Sequence, residues 1–266
     1  MRIAFYAPLK PPDHPVPSGD RRLAQLFLAA LRQAGHEPVL AARLRSYDGA
    51  GDARRQARLA ILGERLAERF LARCRRRPDE APRLWFTYHL YHKAPDWLGP
   101  RVADGLGIPY LVAEASHAPK RESGAWAPGH RAAARAIARA NAVIGLNPAD
   151  REAVLPLLRD PARWLAMKPF LDAAAFAAPA RERGAVPRLV VVAMMRAGDK
   201  LASYRVLGEA LRRLLDLPWS VEVIGDGPAR KPAAEALSPL GERVLWGGAL
   251  DGGAFAARLA AADLYV

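Results

Sequence analysis

Two rhythms of apolar and polar positions alternate along this chain. Short apolar runs at Met1–Ala7, His36–Ala42, Arg83–Thr87, Ile108–Ala113 and Ala142–Gly145 read as buried strands. Between them lie segments with a helical period: Arg21–Ala34, Ala53–Arg75, Trp97–Leu106, Arg131–Ala140 and Asp150–Leu158. In the first of these, Leu23, Leu26, Phe27, Ala30 and Leu31 make one apolar face, and Gly35 supplies the stop. A proline-rich loop, Pro8–Asp20, joins the first strand to that helix. This alternation predicts a doubly wound parallel sheet over residues 1–170.

The pattern breaks after Lys168. An Ala-, Pro- and Arg-rich stretch reads as a linker over 171–187. A second series then begins, with strands Leu189–Met194, Val221–Ile224, Val244–Trp246 and Leu264–Val266. Helices Ala202–Leu214, Ala229–Leu237 and Ala254–Ala262 lie between them. The second domain is therefore expected over 188–266 and, ending inside a strand, is expected to be incomplete. No short-period repeat is present.

Charge changes the picture more than size does. The 266 residues carry a formal net charge of +13, and 34 of the 40 basic residues are Arg. A nucleic acid, an anionic membrane surface or an anionic small molecule would each suit that balance, and so would compositional bias alone. The Arg residues are spread over the helices and no nucleic-acid module is visible, so nucleic acid is not expected. The single cysteine, Cys74, excludes an intrachain disulfide and fits a reducing compartment. The N-terminal apolar run is too short for a signal peptide, and no stretch reaches the ~18 apolar residues of a membrane span. A cytoplasmic protein is expected, with peripheral contact at the inner membrane face left open.

Candidate chemistry gathers where strands end, which is where open α/β sheets bind ligands. Arg196 and Lys200 follow the first strand of the second series, and a Gly225-Asp226-Gly227-Pro228 turn follows the next. Two cations there point to a phosphorylated ligand, since Arg offers a planar fork and Lys a point charge. The helix starting near Leu201 would aim its free N–H groups at the same place. In the first domain, Ser18 and Gly19 follow strand one, His117 follows the strand Ile108–Ala113, and His89 and His92 end another. The i, i+3 spacing of His89 and His92 lacks a third ligand, so no metal is expected. Lys120, Arg121 and His130 lie nearby in sequence. No G-x-G-x-x-G follows Met1–Ala7, which disfavours a dinucleotide cofactor.

In order and spacing, Pro17-Ser18-Gly19-Asp20, Gly35-His36, His117, Arg196…Lys200 and Gly225-Asp226-Gly227-Pro228 resemble the GT-B glycosyltransferases. Val244-Leu245-Trp246-Gly247 and Ala262-Asp263-Leu264-Tyr265-Val266 continue the resemblance, which is to the retaining family 4 enzymes within that group. It implies two Rossmann-like domains facing a cleft, with a nucleoside-diphosphate sugar as donor and no cofactor or metal. The acceptor would be a hydroxyl of a lipid or glycan in cell-envelope or polysaccharide synthesis. Arg196 and Lys200 would then neutralise the departing diphosphate, and His117 would touch the transferred sugar. Ser18, Gly19, Gly225, Asp226, Gly227, Trp246 and Gly247 would border the donor, with His89, His92, Lys120 and Arg121 on the acceptor side. Leu201 stands where the family usually has Gly, and only three residues separate Arg196 from Lys200. The family's Glu-x7-Glu segment and closing helix would follow Val266, so little transfer activity is expected of these 266 residues. A GT-B sugar-nucleotide epimerase or phosphorylase, and a basic nucleic-acid-binding protein, are the competing readings.

Overall fold

A computed structural model describes residues 1–177, 184–250 and 252–266. The chain divides into two compact units, Met1–Leu171 and Asp172–Val266. Of the expected linker 171–187, residues 178–183 lie outside the described residues, and Ala173–Phe176 form a short 3-10 turn.

The first unit is a six-stranded, all-parallel sheet. Its strands are β1 (Arg2–Tyr6), β2 (Glu37–Leu40), β3 (Leu84–Leu90), β4 (Tyr110–Ala115), β5 (Ala142–Gly145) and β6 (Trp164–Ala166), in the order 2-1-3-4-5-6. The helices are α1 (Gly19–Gln33), α2 (Ala53–Arg76), α3 (Gly99–Leu106), α4 (Ala127–Arg139) and α5 (Asp150–Val154). Strand side chains alternate between two cores, as a period of two requires. Ile3, Phe5, Leu84, Phe86 and Tyr88 pack with Ala24, Phe27 and Leu28 of α1. Ala4, Tyr6, Trp85, Tyr110 and Val112 pack with Phe70 and Leu71 of α2, Val102 of α3 and Ile137 of α4. Helices cover both faces, which is why the strands read as near-continuous apolar runs. On α1 the expected Ala30 is exposed, and Ala24 and Leu28 are buried instead.

The second unit is a four-stranded parallel sheet of β7 (Arg188–Val192), β8 (Ser220–Ile224), β9 (Val244–Gly248) and β10 (Leu264–Tyr265), ordered 10-7-8-9. Helices α6 (Asp199–Arg212) and α7 (Arg230–Leu237) bury Tyr204, Leu211, Ala233 and Leu237 against Val191, Val221 and Val223. Glu222, whose side chain alternates to the other face, lies 3.5 Å from Arg258 of α8 (Gly252–Ala260).

Among the departures from the sequence expectation are two helix starts and one strand. Helix α4 starts at Ala127 instead of Arg131, and α6 at Asp199 instead of Ala202; neither has a side-chain cap to announce it. Strand β6 was not expected at all. It is three residues long with Leu165 half exposed, so it carries almost no apolar signal.

A buried carboxylate organises the turn from β3 to α3. Asp96 accepts four hydrogen bonds: from Thr87 Oγ1 (2.5 Å), Tyr110 OH (3.0 Å), Leu98 N (2.9 Å) and Gly99 N (2.7 Å). Trp85 Nε1 donates to Thr87 in turn. A Cβ at residue 99 would come within 2.2 Å of Asp96 Oδ2 and 2.4 Å of Trp85 Nε1, so only glycine fits. Replacing Asp96 by Asn forces an NH2 against these donors and leaves at least one unsatisfied. Asp96→Asn is expected to lower the unfolding free energy of the first unit by about 3 kcal/mol. Urea titration followed by tryptophan fluorescence checks this, and an unchanged midpoint would refute it.

Candidate functional site

In each sheet the chain reverses its direction of winding once. In the first this happens between β1 and β3, in the second between β7 and β10, and a ligand crevice is expected at the carboxyl ends of those strands.

At the first reversal the loop after β1 is pinned to its own helix. Pro12 O accepts from Gln25 Nε2 (2.8 Å) and Arg21 Nε (3.3 Å), and Ser18 Oγ caps α1 by accepting from Arg21 N. A Cβ built on Gly19 meets nothing within 4 Å. The fold itself therefore does not require glycine there, and the space beside it is open. Asp20, in the first turn of α1, places Oδ1 3.0 Å from His89 Nδ1, and Glu114 Oε2 lies 4.0 Å from the same nitrogen. The contact with His89 lowers the Asp20 carboxyl below its usual range. Burial, with Glu114 and Asp20 nearby, drives the Tyr88 phenol well up.

Backbone kinks create this group. His89 and Glu114 have φ of 60° and 58°, the only positive values among described non-glycine residues. They sit side by side: Tyr88 pairs with Ala113 and Leu90 with Ala115 across the two strands. Each acts as one inserted residue. Tyr88 and Ala113 face the α1 core, whereas Leu90 and Ala115, two positions on, face the opposite core. The alternation slips by one in both strands, and the two side chains leave it. Left-handed backbone at such residues costs on the order of 1–3 kcal/mol and collects at functional sites.

At the second reversal Arg196 and Lys200 are both exposed, and among the described residues neither has a hydrogen-bond or ion-pair partner. Lys200 stands in the first turn of α6, not ahead of the helix as expected. The loop bearing them is stitched from beneath. Met195 N donates to Asp226 O and Ala229 N to Met195 O, both at 3.0 Å. Cβ atoms on Gly225 and Gly227 would come 2.0 and 2.2 Å from the carbonyls of Ala193 and Met195. Those glycines are thus explained by backbone packing under the Arg196 loop. Trp246 lies under the Arg230 guanidinium (5.1 Å), and Gly247 is the extra residue of a bulge opposite Val223 and Ile224.

No family model matches this sequence, and no curated protein matches it. Solved structures do. The lipopolysaccharide outer core galactosyltransferase WaaB aligns with 97% of this chain and 71% of its own at 12% identity, TM-score 0.61. Anabaena HepE in complex with UDP aligns with 100% and 73% at 13% identity, TM-score 0.62. A Listeria monocytogenes structure described as a UDP-N-acetylglucosamine 2-epimerase aligns with 99% and 73% at 12% identity, TM-score 0.58. The fold is of the GT-B type. Likeness at such low identity speaks for the fold alone, as glycosyltransferases and an epimerase on one architecture illustrate.

Within this GT-B fold the sequence candidates separate into groups. Ser18 and Gly19 join His89 at the first crevice. His92 packs edge-on against Trp126 (6.1 Å), whose ring also lies near Arg121 (4.7 Å) and Lys93 (5.1 Å). Lys120 is exposed in the short turn Pro119–Arg121. His117 packs tilted against His130 with ring centroids 4.6 Å apart, and among the described residues neither bonds to the Asp20–His89–Glu114 group. Among the described residues no group of three or more His, Cys, Asp or Glu could hold a metal ion. Sequence reasoning missed Asp20 as a partner of His89, as well as Glu114, Trp126 and Asp96. A buried Asp three residues ahead of Gly99-Pro100 was a readable helix-start signal; the paired kinks had none.

Burial, then the Lys93 and Arg121 charges, push His92 down to about 4. The unfolded chain takes up this proton near pH 6.5 and the folded chain only near pH 4, so stability falls as pH drops through that window. Histidine NMR should find His92 neutral at pH 5. The acid loss of stability should shrink in His92→Gln, and a His92 that titrates near 6.5 would contradict the packing.

Proposed function

We propose that this protein is a glycosyltransferase that moves a sugar from a nucleoside-diphosphate donor to an acceptor hydroxyl. The observation that carries this reading is the pair of unpartnered cations, Arg196 and Lys200, at the winding reversal of the second sheet. It is supported by the GT-B fold and by a UDP complex of one structural neighbour.

In this reading the bond between the sugar C1 and the β-phosphate oxygen breaks, and the negative charge passes to the diphosphate. Arg196 and Lys200, held by a loop braced on the glycine turn, stabilise that charge without reorganising. The acceptor oxygen forms the new bond to C1 on the face the diphosphate leaves, so configuration is retained. Its proton passes to the departing phosphate oxygen, and no metal takes part. In the first unit, Ser18 and Gly19 are assigned to backbone contact with the reacting ligand. His117 is assigned to a sugar hydroxyl, and His89 and His92 to the acceptor side.

A second reading has its own support. Asp20, His89 and Glu114 form a titratable cluster of the kind that moves protons, as an epimerase must. Proton NMR of a UDP-sugar with the protein and no acceptor separates the two. A transferase leaves the donor sugar unepimerised, and an acceptor glycoside appears only when acceptor is added.

The acceptor is assigned to a lipid or glycan, reached by peripheral contact with an anionic membrane surface. No helix among the described residues is long and apolar enough to cross a membrane, but α2 suits lying on one. It exposes eight Arg against two Glu, with Ile61 and Leu62 also exposed. Cosedimentation with anionic vesicles is expected, falling with salt and in Arg65→Glu/Arg69→Glu. Recovery equal to that with neutral vesicles would remove this part of the proposal.

For donor binding, Arg196→Ala and Lys200→Ala should each weaken UDP-sugar affinity roughly tenfold to a hundredfold, the range for hydrogen bonds to charged groups. Gly19→Ala should leave the melting temperature unchanged, because its Cβ meets no neighbour, and still weaken donor binding. Calorimetric titration of the three variants decides this. Unaltered affinity in both cation variants would overturn the donor site.

A further inference from the structure

Beside His117 the first unit contains a pocket of about 580 Å³, lined by His117, Pro119, Glu122, His130, Arg131, Ala134, Arg135 and Leu157. Its chemistry is unbalanced. Arg131 and Arg135 stand four residues apart on α4, so they project from one helix face. Both are exposed, and among the described residues neither forms an ion pair or hydrogen bond. Glu122 is the one acidic group of the lining, and it too is exposed.

Behind the arginines lies His130, 5% exposed, with both ring nitrogens buried and unpartnered. His117, its ring tilted against that of His130, is not orphaned in the same way: it interacts with the backbone of Ala153, and only its Nδ1 is buried without a partner. A neutral imidazole always carries one N–H, and leaving such a donor unpaired in the interior costs about 1–3 kcal/mol. A histidine that is merely packed would normally find a carbonyl or water; an imidazole with neither nitrogen satisfied, next to a pocket, calls for an acceptor.

We infer that this pocket binds a phosphate group, either free or carried as a monoester. Two arginines at i, i+4 offer forked donors suited to phosphate oxygens, and their charge exceeds that of Glu122 by one. A small shift of the His130 ring toward a bound oxygen would satisfy its orphaned N–H. A phosphate fills only part of the volume, and Pro119, Ala134 and Leu157 offer apolar surface to the carbon portion of a monoester. The inference concerns binding alone and rests on His130, Arg131 and Arg135, to which the transferase reading gives no role.

The test uses the whole chain, labelled in its histidine rings and titrated separately with inorganic phosphate and with glycerol 3-phosphate at matched ionic strength. The His130 ring signals are identified by their loss in His130→Phe. Saturable shifts of those signals are expected. They should weaken at least tenfold in Arg131→Ala/Arg135→Ala, a change of two exposed helical residues to the best helix former. In His130→Phe, calorimetric affinity for the better ligand should drop by a similar factor with the melting transition retained. Tighter binding of the monoester identifies a phosphorylated organic ligand, and equal binding identifies phosphate itself; either supports the site. Shifts that do not saturate, or that persist undiminished in the double arginine variant, overturn it.

Discussion

The carboxyl edge of the first sheet depends on a buried Asp96 with four donors around it. Those donors come from β3, β4 and the first turn of α3, so one carboxylate fixes the spacing of two strands and the angle of a helix. The consequences run outward through polar contacts. With 96–99 fixed, residues 91–95 must fold back over the strand ends, where Ser46 Oγ bonds Pro95 O and Asp48 N bonds Lys93 O. Asp48 then holds Gln56 Nε2 at 3.0 Å, and Gln56 Oε1 takes the N–H of Gly129 in the first turn of α4. Trp126, His130 and the pocket beside them are thereby tied to a carboxylate on another element. A purely apolar edge would pack as well but would not set these positions so narrowly, because dispersion contacts have no direction.

The second unit solves the same problem mainly with backbone, helped by the Tyr204 hydroxyl on Ala193 O and by buried Met195. Gly225 and Gly227 let the turn after β8 pass against the carbonyls of Ala193 and Met195, and the main chain bonds itself there. Of the side chains in the β7–α6 loop, Met195 is anchored in the core and Arg196 takes no part in holding the shape. That leaves Arg196 and Lys200 without structural duties, which is what a charge meant for a ligand requires. A cation already spent on a neighbouring carboxylate would have to be released before it could bind a phosphate. The glycine turn was read as a donor contact; its packing gives it at least an independent reason to exist.

Much of the fold was legible because parallel strands covered on both faces must be apolar throughout. Ile3–Ala7, Leu84–Tyr88 and Leu189–Val192 carry that signal without interruption. Edge strand β6 does not, since half-exposed Leu165 has no core to match. The starts of α4 and α6 were placed late because Trp126 and Gly198 offer no capping side chain. Arg196 and Lys200 were found by position, at the end of a strand that could be recognised. The contacts of His89 could not be found in this way. Asp20 and His89 are 69 positions apart, and their meeting depends on β1 and β3 being neighbours, which strand order decides and local pattern does not.

The slipped alternation at His89 and Glu114 bears most directly on function. A single kink in one strand would break its pairing with the next. Two kinks at the same level preserve it, and pairing resumes at Leu90 and Ala115. The fold thus pays the left-handed backbone cost twice, and with the ladder intact it turns Leu90 and Ala115 into the opposite core. What the kinks change is where two polar side chains point. Without the slip, position 89 would fall on the face of Tyr6 and Trp85, amid a core that has no place for an imidazole. With it, His89 reaches Asp20 at the winding reversal, and Glu114 comes beside it. Strain of this kind, matched across two strands, does two things at one level: it seats Leu90 and Ala115 in the core, and it gathers His89, Glu114 and Asp20 at the carboxyl edge, where open sheets of this kind bind ligands.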